Sequence, residues 1–152
     1  GLGDVYKRQS IMSWVMAFTG IPAAISGVML SISSNKYVIL LIINVILLIV
    51  GTFMDITPAI LIFTPIFLPV VTSDLIGMTA IQFGIMLVFN LCIGTITPPV
   101  GNILFVGVRV AKTSIERVIK PLLPYYGVII LVLLLVTFVP AISMFLPRLM
   151  GF

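Results

Sequence analysis

With 152 residues, 61% hydrophobic and only 8% charged, and a mean hydropathy of +1.37, the chain cannot cover a water-facing surface. A soluble domain carries roughly 25% charged residues, so this composition specifies an integral membrane protein built of helices, with lipid as its surroundings. The net charge of +4 is no nucleic-acid footprint, the lack of histidine removes the commonest metal ligand and general base, and a lone cysteine, Cys92, excludes an internal disulfide.

The polar opening GLGDVYKRQ is unlike everything after it, and residues 1–10 read as a frayed or foreign junction outside the fold. Five apolar segments follow. The first, about Ile11 to Ile32, has a Gly-Ile-Pro break at Gly20–Pro22. After SSNK come Tyr37–Val50 and Pro58–Val71, then about Thr79–Ala111, then Pro121–Leu146. The stretch RVAKTSIERVIK holds four basic residues and Glu116, and reads as a cytoplasmic loop over 109–120. Counting crossings from it puts Lys36, Asp74 and Arg148 on the outer side.

Segment lengths conflict with simple spans. A crossing helix needs about 20 apolar residues, whereas Pro58–Val71 offers roughly 21 Å of helix and contains Pro65 and Pro69. The turn before it, GTFMDITP, carries no Lys or Arg and has Asp55 as its only charge. Residues 36–75 therefore read as a re-entrant helical hairpin with its tip at Asp55–Pro58. Two full spans are the alternative, and the depth of Asp55 separates them. The fourth segment, 79–111, is too long instead: as one helix it would reach roughly 50 Å against a core of about 30 Å. Pro98 and Pro99 remove two backbone donors, Pro98 pushes Thr97 out of the α region, and Gly94 and Gly101 flank the place. This helix is expected to be discontinuous.

Unpaired backbone at membrane depth survives only where protein buries it or where it lines a cavity. A proline kink repaired by neighbouring helices is the plain explanation of TPPVG. A second feature favours a site: Ile-Thr-Pro occurs both at the hairpin turn (Ile56–Pro58) and at the helix break (Ile96–Pro98). In each, threonine then proline is expected as N-cap then N1, with a helix C-terminus just upstream. C-terminal carbonyls can hold a cation and half-helix N-termini can face an anion. Asp55, a carboxylate at depth, is a functional candidate by default; a solvated turn residue is its alternative. Asn90 offers a further oxygen near Gly94, while Asn44 is expected to hydrogen-bond between helices.

The stretches GTFMDITPAILIFTPIFLP, FNLCIGTITPPVGNILFV and VTFVPAISMFLPRL, with SWVMAFTGIP and NKYVILLIINVILLIVG ahead of them, resemble the large membrane subunit of tripartite ATP-independent periplasmic (TRAP) transporters. The resemblance covers about residues 11–152. It implies an all-α integral membrane fold: a scaffold or arm helix over 11–35, then a re-entrant hairpin plus a discontinuous helix, the second inverted repeat of an elevator-type ion transporter, followed by a final transmembrane helix at 121–147. It further implies a non-enzymatic, sodium-coupled uptake of a small organic acid (a dicarboxylate, sialic acid or similar) across the bacterial inner membrane. The implied partners are a small membrane subunit and a periplasmic solute-binding protein, with sodium as coupling ion, no cofactor and no nucleic acid. Sodium coordination would fall on Gly51, Asp55, Gly94, Thr95 and Thr97. Substrate-facing candidates are Thr57, Pro58, Asn90, Pro98, Pro99, Gly101 and Asn102. The family often has Asp-Pro and then His before Phe-Gly, where this chain has GMTAIQFG, so the substrate subclass stays open. Two rivals remain. An intramembrane aspartyl protease would need two facing carboxylates, and a purely structural helical protein would use its prolines as kinks.

Overall fold

The structure, a computed structural model, describes residues 27, 28, 31, 35–98 and 101–150. The expected arm helix and its Gly20–Pro22 break lie outside these residues apart from a few positions. Helices run in the order α1 (Lys36–Phe53), α2 (Ile56–Val71), α3 (Ala80–Ile96), α4 (Asn102–Val110), α5 (Ile115–Phe138) and α6 (Pro140–Leu149), and no strand occurs among the described residues. Both α1 and α5 are long and apolar enough to cross a membrane.

Side-chain caps start two of these helices. The Asn35 side chain accepts the Tyr37 amide at 3.0 Å ahead of α1, and Thr79 Oγ1 accepts the Gln82 amide at 3.2 Å ahead of α3. The α1 helix then buries Ile39, Ile43 and Leu47 along one stripe, against Phe83, Met86, Leu87 and Leu91 of α3 and Phe67 and Val70 of α2. Its opposite face leaves Leu41, Val45 and Ile49 exposed, as suits a helix whose surroundings are as apolar as its core.

In lipid, apolar burial does little to hold helices together, so close backbone approach and hydrogen bonds must do it. Both are present between α1 and α3. Asn90 Nδ2 donates to Asn44 Oδ1 at 2.7 Å, and further along both helices Gly51 and Gly94 bring the two backbones into contact. The expected interhelical role of Asn44 is thereby met. These two pairs also fix direction, since α1 and α3 advance together and so run parallel. Thr137 Oγ1 lies 3.3 Å from Asn44 Oδ1, and Gln82 Nε2 donates to the Thr137 carbonyl at 3.2 Å. The Tyr126 hydroxyl donates to the Ile96 carbonyl. Contacts late in α5 with early α3, and early in α5 with late α3, make those two helices antiparallel.

Three expectations need correction. Asp55, not Thr57, is the N-cap position of α2, so Thr57 and Pro58 fall within its first turn. Proline is tolerated anywhere in that turn because amides there have no intrahelical acceptor. At the second Ile-Thr-Pro, Thr97 is the C-cap of α3, and the next helix begins only after Gly101, in the left-handed region at φ 43°. The two triplets are therefore not equivalent. The final helix is also displaced. It starts at Ile115, because Ser114 takes the N-cap position and Glu116 sits favourably in the first turn, so only 111–114 of the charged stretch is a turn. It ends at Phe138, where Pro140 holds Val139 extended (φ −112°, ψ 90°) and α6 begins.

Candidate functional site

The expected discontinuity is present: α3 ends at Ile96 and α4 begins at Asn102. The tip between α1 and α2 meets it directly. A Cβ built on Gly94 would stand 2.4 Å from the Gly51 carbonyl carbon and 2.5 Å from Gly51 Cα, so only glycine lets the backbones approach this closely. Just beyond, the Gly101 amide donates to the Thr52 carbonyl at 3.3 Å, tying the broken-helix loop to the end of α1. Ile96 lies level with Tyr126, the midpoint of α5, so tip and break sit halfway along a helix of membrane-crossing length.

The backbone accounting explains what this junction offers. In a continuous helix the amides of residues 98 and 99 would serve the carbonyls of Gly94 and Thr95. Both residues are proline and have no N–H. The Gly94 carbonyl accepts instead from the Thr97 amide at 3.0 Å, and the Ile93 carbonyl from Thr97 Oγ1 at 2.6 Å. The Thr95 carbonyl has lost its helical donor by covalent structure alone. Thr95 Oγ1 donates to the Cys92 carbonyl and Thr52 Oγ1 to the Ile49 carbonyl, each at 2.7 Å. Each hydroxyl has one proton and gives it to its own helix, so what it presents outward is lone pairs. The junction is thus rich in oxygen acceptors. Two helix C-termini (α1, α3) and two N-termini (α2, α4) converge on it, partial negative and partial positive ends at one level.

The sequence candidates distribute unevenly around this point. Gly51, Gly94 and Thr95 are buried in the junction, with Thr97, Pro98 and Gly101 closing the break. Asp55 and Thr57 lie at the exposed tip, and Pro58 is half-buried beside them. Asn90 stands one turn deeper, fully buried, with Nδ2 held by Asn44 Oδ1 and the Met86 carbonyl; its Oδ1 has no partner. Pro99 lies outside the described residues, and Asn102 opens α4. Among the described residues no three His, Cys, Asp or Glu side chains gather as a metal cluster. Sequence reasoning missed Thr52 and Tyr126. Thr52 follows Gly51 at the end of α1, and Tyr126 is a phenol within an apolar helix, a signal that was available.

A family model described as the tripartite ATP-independent periplasmic transporter, DctM component, matches residues 7–142. The chain belongs to the DctM family. It is 54% identical over 138 residues to the uncharacterized protein YgiK of Salmonella typhimurium, covering 91% of this chain and 31% of that one. It is 46% identical over 136 residues to the isethionate TRAP transporter permease protein DctMQ of Oleidesulfovibrio alaskensis (90% and 21% covered). To the C4-dicarboxylate TRAP transporter large permease protein DctM of Vibrio cholerae it is 41% identical over 140 residues (92% and 30% covered). The chain thus spans less than a third of the length of these relatives. No solved structure matches it.

Proposed function

We propose that this chain supplies one half of the ion- and substrate-binding region of a sodium-coupled transporter for a small organic acid. The observation carrying the proposal is the Gly51–Gly94 contact, which sets the helix tip against the helix break at the level of the α5 midpoint. In a bilayer that level is the middle, so α1 and α2 form a re-entrant hairpin, and with α3 and α4 they make the second inverted repeat of an elevator-type carrier. The remainder of the longer protein supplies the first repeat.

A sodium ion at this depth must recover the oxygens it loses with its water. The Thr95 carbonyl, the Gly94 and Gly51 backbone, the Thr97 hydroxyl and the Asp55 carboxylate are its ligands. The carboxylate offsets part of the desolvation that makes a bare cation costly in lipid. Isethionate and C4-dicarboxylates, named for two relatives, are both small anions, and the α2 and α4 N-termini suit such a substrate. Thr57, Pro58, Pro98, Gly101 and Asn102 border that side. A tripartite, ATP-independent system needs two more components and an ion gradient. A small membrane subunit and a periplasmic solute-binding protein fill the first need at the bacterial inner membrane, and sodium the second.

The test is uptake by the full-length transporter with its partner components in proteoliposomes, under an imposed sodium or potassium gradient, with labelled C4-dicarboxylate and isethionate. Uptake should follow sodium, and Asp55→Asn should raise the sodium midpoint at least tenfold, since it keeps size and removes charge. Uptake equal in sodium and potassium refutes the coupling. An unchanged midpoint and maximal rate in Asp55→Asn removes Asp55 from the site.

A further inference from the structure

The Ile96 carbonyl and the Thr97 amide belong to one planar peptide unit. The carbonyl of that unit accepts from the Tyr126 hydroxyl on α5, and its amide donates to the Gly94 carbonyl at 3.0 Å. One hydroxyl from a neighbouring helix therefore sets the tilt of the last peptide plane before the break, and through it the direction of the Gly94 carbonyl. Tyr126 reaches this plane across a cleft of about 540 Å³ whose walls include Thr52, Phe53, Thr97, Pro98 and Leu123. Without the hydroxyl, the unit would keep only its amide bond to the Gly94 carbonyl, beside a cleft with room for its carbonyl to tilt.

We propose that Tyr126 is a positioning residue for the cation site: it touches neither ion nor substrate, and orients the peptide unit that aims the Gly94 and Thr97 oxygens. The inference rests on the sodium-coupled function proposed above. Adjacent Tyr125 is 65% exposed and supplies the matched control.

The test compares wild type, Tyr126→Phe and Tyr125→Phe in the full-length transporter with its partner components. Uptake is measured against sodium concentration, and substrate KM at saturating sodium. The rise in melting temperature of the purified protein on replacing potassium by sodium reports ion binding without transport. Loss of one hydrogen bond predicts a sodium midpoint raised about threefold to tenfold in Tyr126→Phe. Substrate KM should move less than twofold, the sodium-induced melting shift should be reduced, and Tyr125→Phe should behave as wild type. An unchanged midpoint in Tyr126→Phe, with sodium dependence intact in wild type, overturns the role of Tyr126 and leaves the function standing. A variant whose midpoint, KM and potassium-only melting temperature all worsen together has lost structure, which also overturns a positioning role. Wild-type uptake indifferent to sodium overturns the function and this inference with it.

Discussion

Adding one methyl group at Gly94 tests the central contact of the molecule. The new Cβ would fall 2.4, 2.5 and 2.9 Å from the carbonyl carbon, Cα and oxygen of Gly51, all of them backbone. Carbon atoms rest at about 3.5–4.0 Å, so α1 and α3 must part locally by roughly 1 Å. No rotamer change can relieve a clash with backbone. Overpacking of this kind costs about 1–3 kcal/mol, and the separation also stretches the Gly101–Thr52 hydrogen bond. Gly51→Ala is milder, because its Cβ would meet Gly94 Cα at 3.1 Å and Leu91 backbone at 3.2 Å, which a shift of a few tenths of an ångström relieves. Gly84→Ala meets nothing within 4 Å and gains up to about 1 kcal/mol in helix propensity. The expected order of melting temperatures for the full-length transporter is Gly84→Ala at or above wild type, then Gly51→Ala, then Gly94→Ala several degrees lower. Sodium-driven uptake should fall in the same order. A Gly94→Ala protein as stable and active as Gly84→Ala would refute the backbone contact and the junction built on it.

Asn44→Leu should cost about 1 kcal/mol by removing the Oδ1 acceptor of Asn90 Nδ2, which keeps only the Met86 carbonyl, while the Thr137 hydroxyl keeps the Leu133 carbonyl. The double variant with Asn90→Leu should be less destabilised than the sum of the singles, as a melting-temperature cycle will show; strict additivity would mean that the two amides do not bond. Gly101→Ala forces a side chain into a φ of 43° and within 2.9 Å of the Thr97 carbonyl, so it should lower uptake and raise the sodium midpoint, whereas Gly107→Ala, with open space around it, should not. Reporter fusions after Lys112 and after Arg148 should lie on opposite sides of the membrane, because α5 crosses between them; equal sidedness would break that crossing. Cysteine placed at Thr57 should resist an impermeant reagent added from the cytoplasmic side alone, and rapid labelling would end the re-entrant hairpin.

The sequence by itself determined what depends on covalent structure and nearest neighbours. Composition settles the solvent, since a chain with 8% charged residues has nothing with which to face water. Pro98 and Pro99 settle the break in the fourth segment, because absent N–H groups are absent in any fold. Pro140 carried the same kind of message about Val139, but it was obscured by unbroken apolarity through the last segment, and the end of α5 was placed too late. Tertiary structure decided the rest. Two identical Ile-Thr-Pro triplets take different roles, one in a helix's first turn and one at a helix's end, because what packs on each side differs. No local rule brings Gly51 to Gly94, 43 positions apart in sequence, or selects Tyr126 over Tyr125 to hold the Ile96 carbonyl. Those choices follow from α1 and α3 running parallel in contact with α5 antiparallel to them, an arrangement fixed by close backbone approach and a few buried hydrogen bonds. Hydropathy is nearly uniform along these segments, so it is silent on which face of each helix meets a neighbour and which meets lipid.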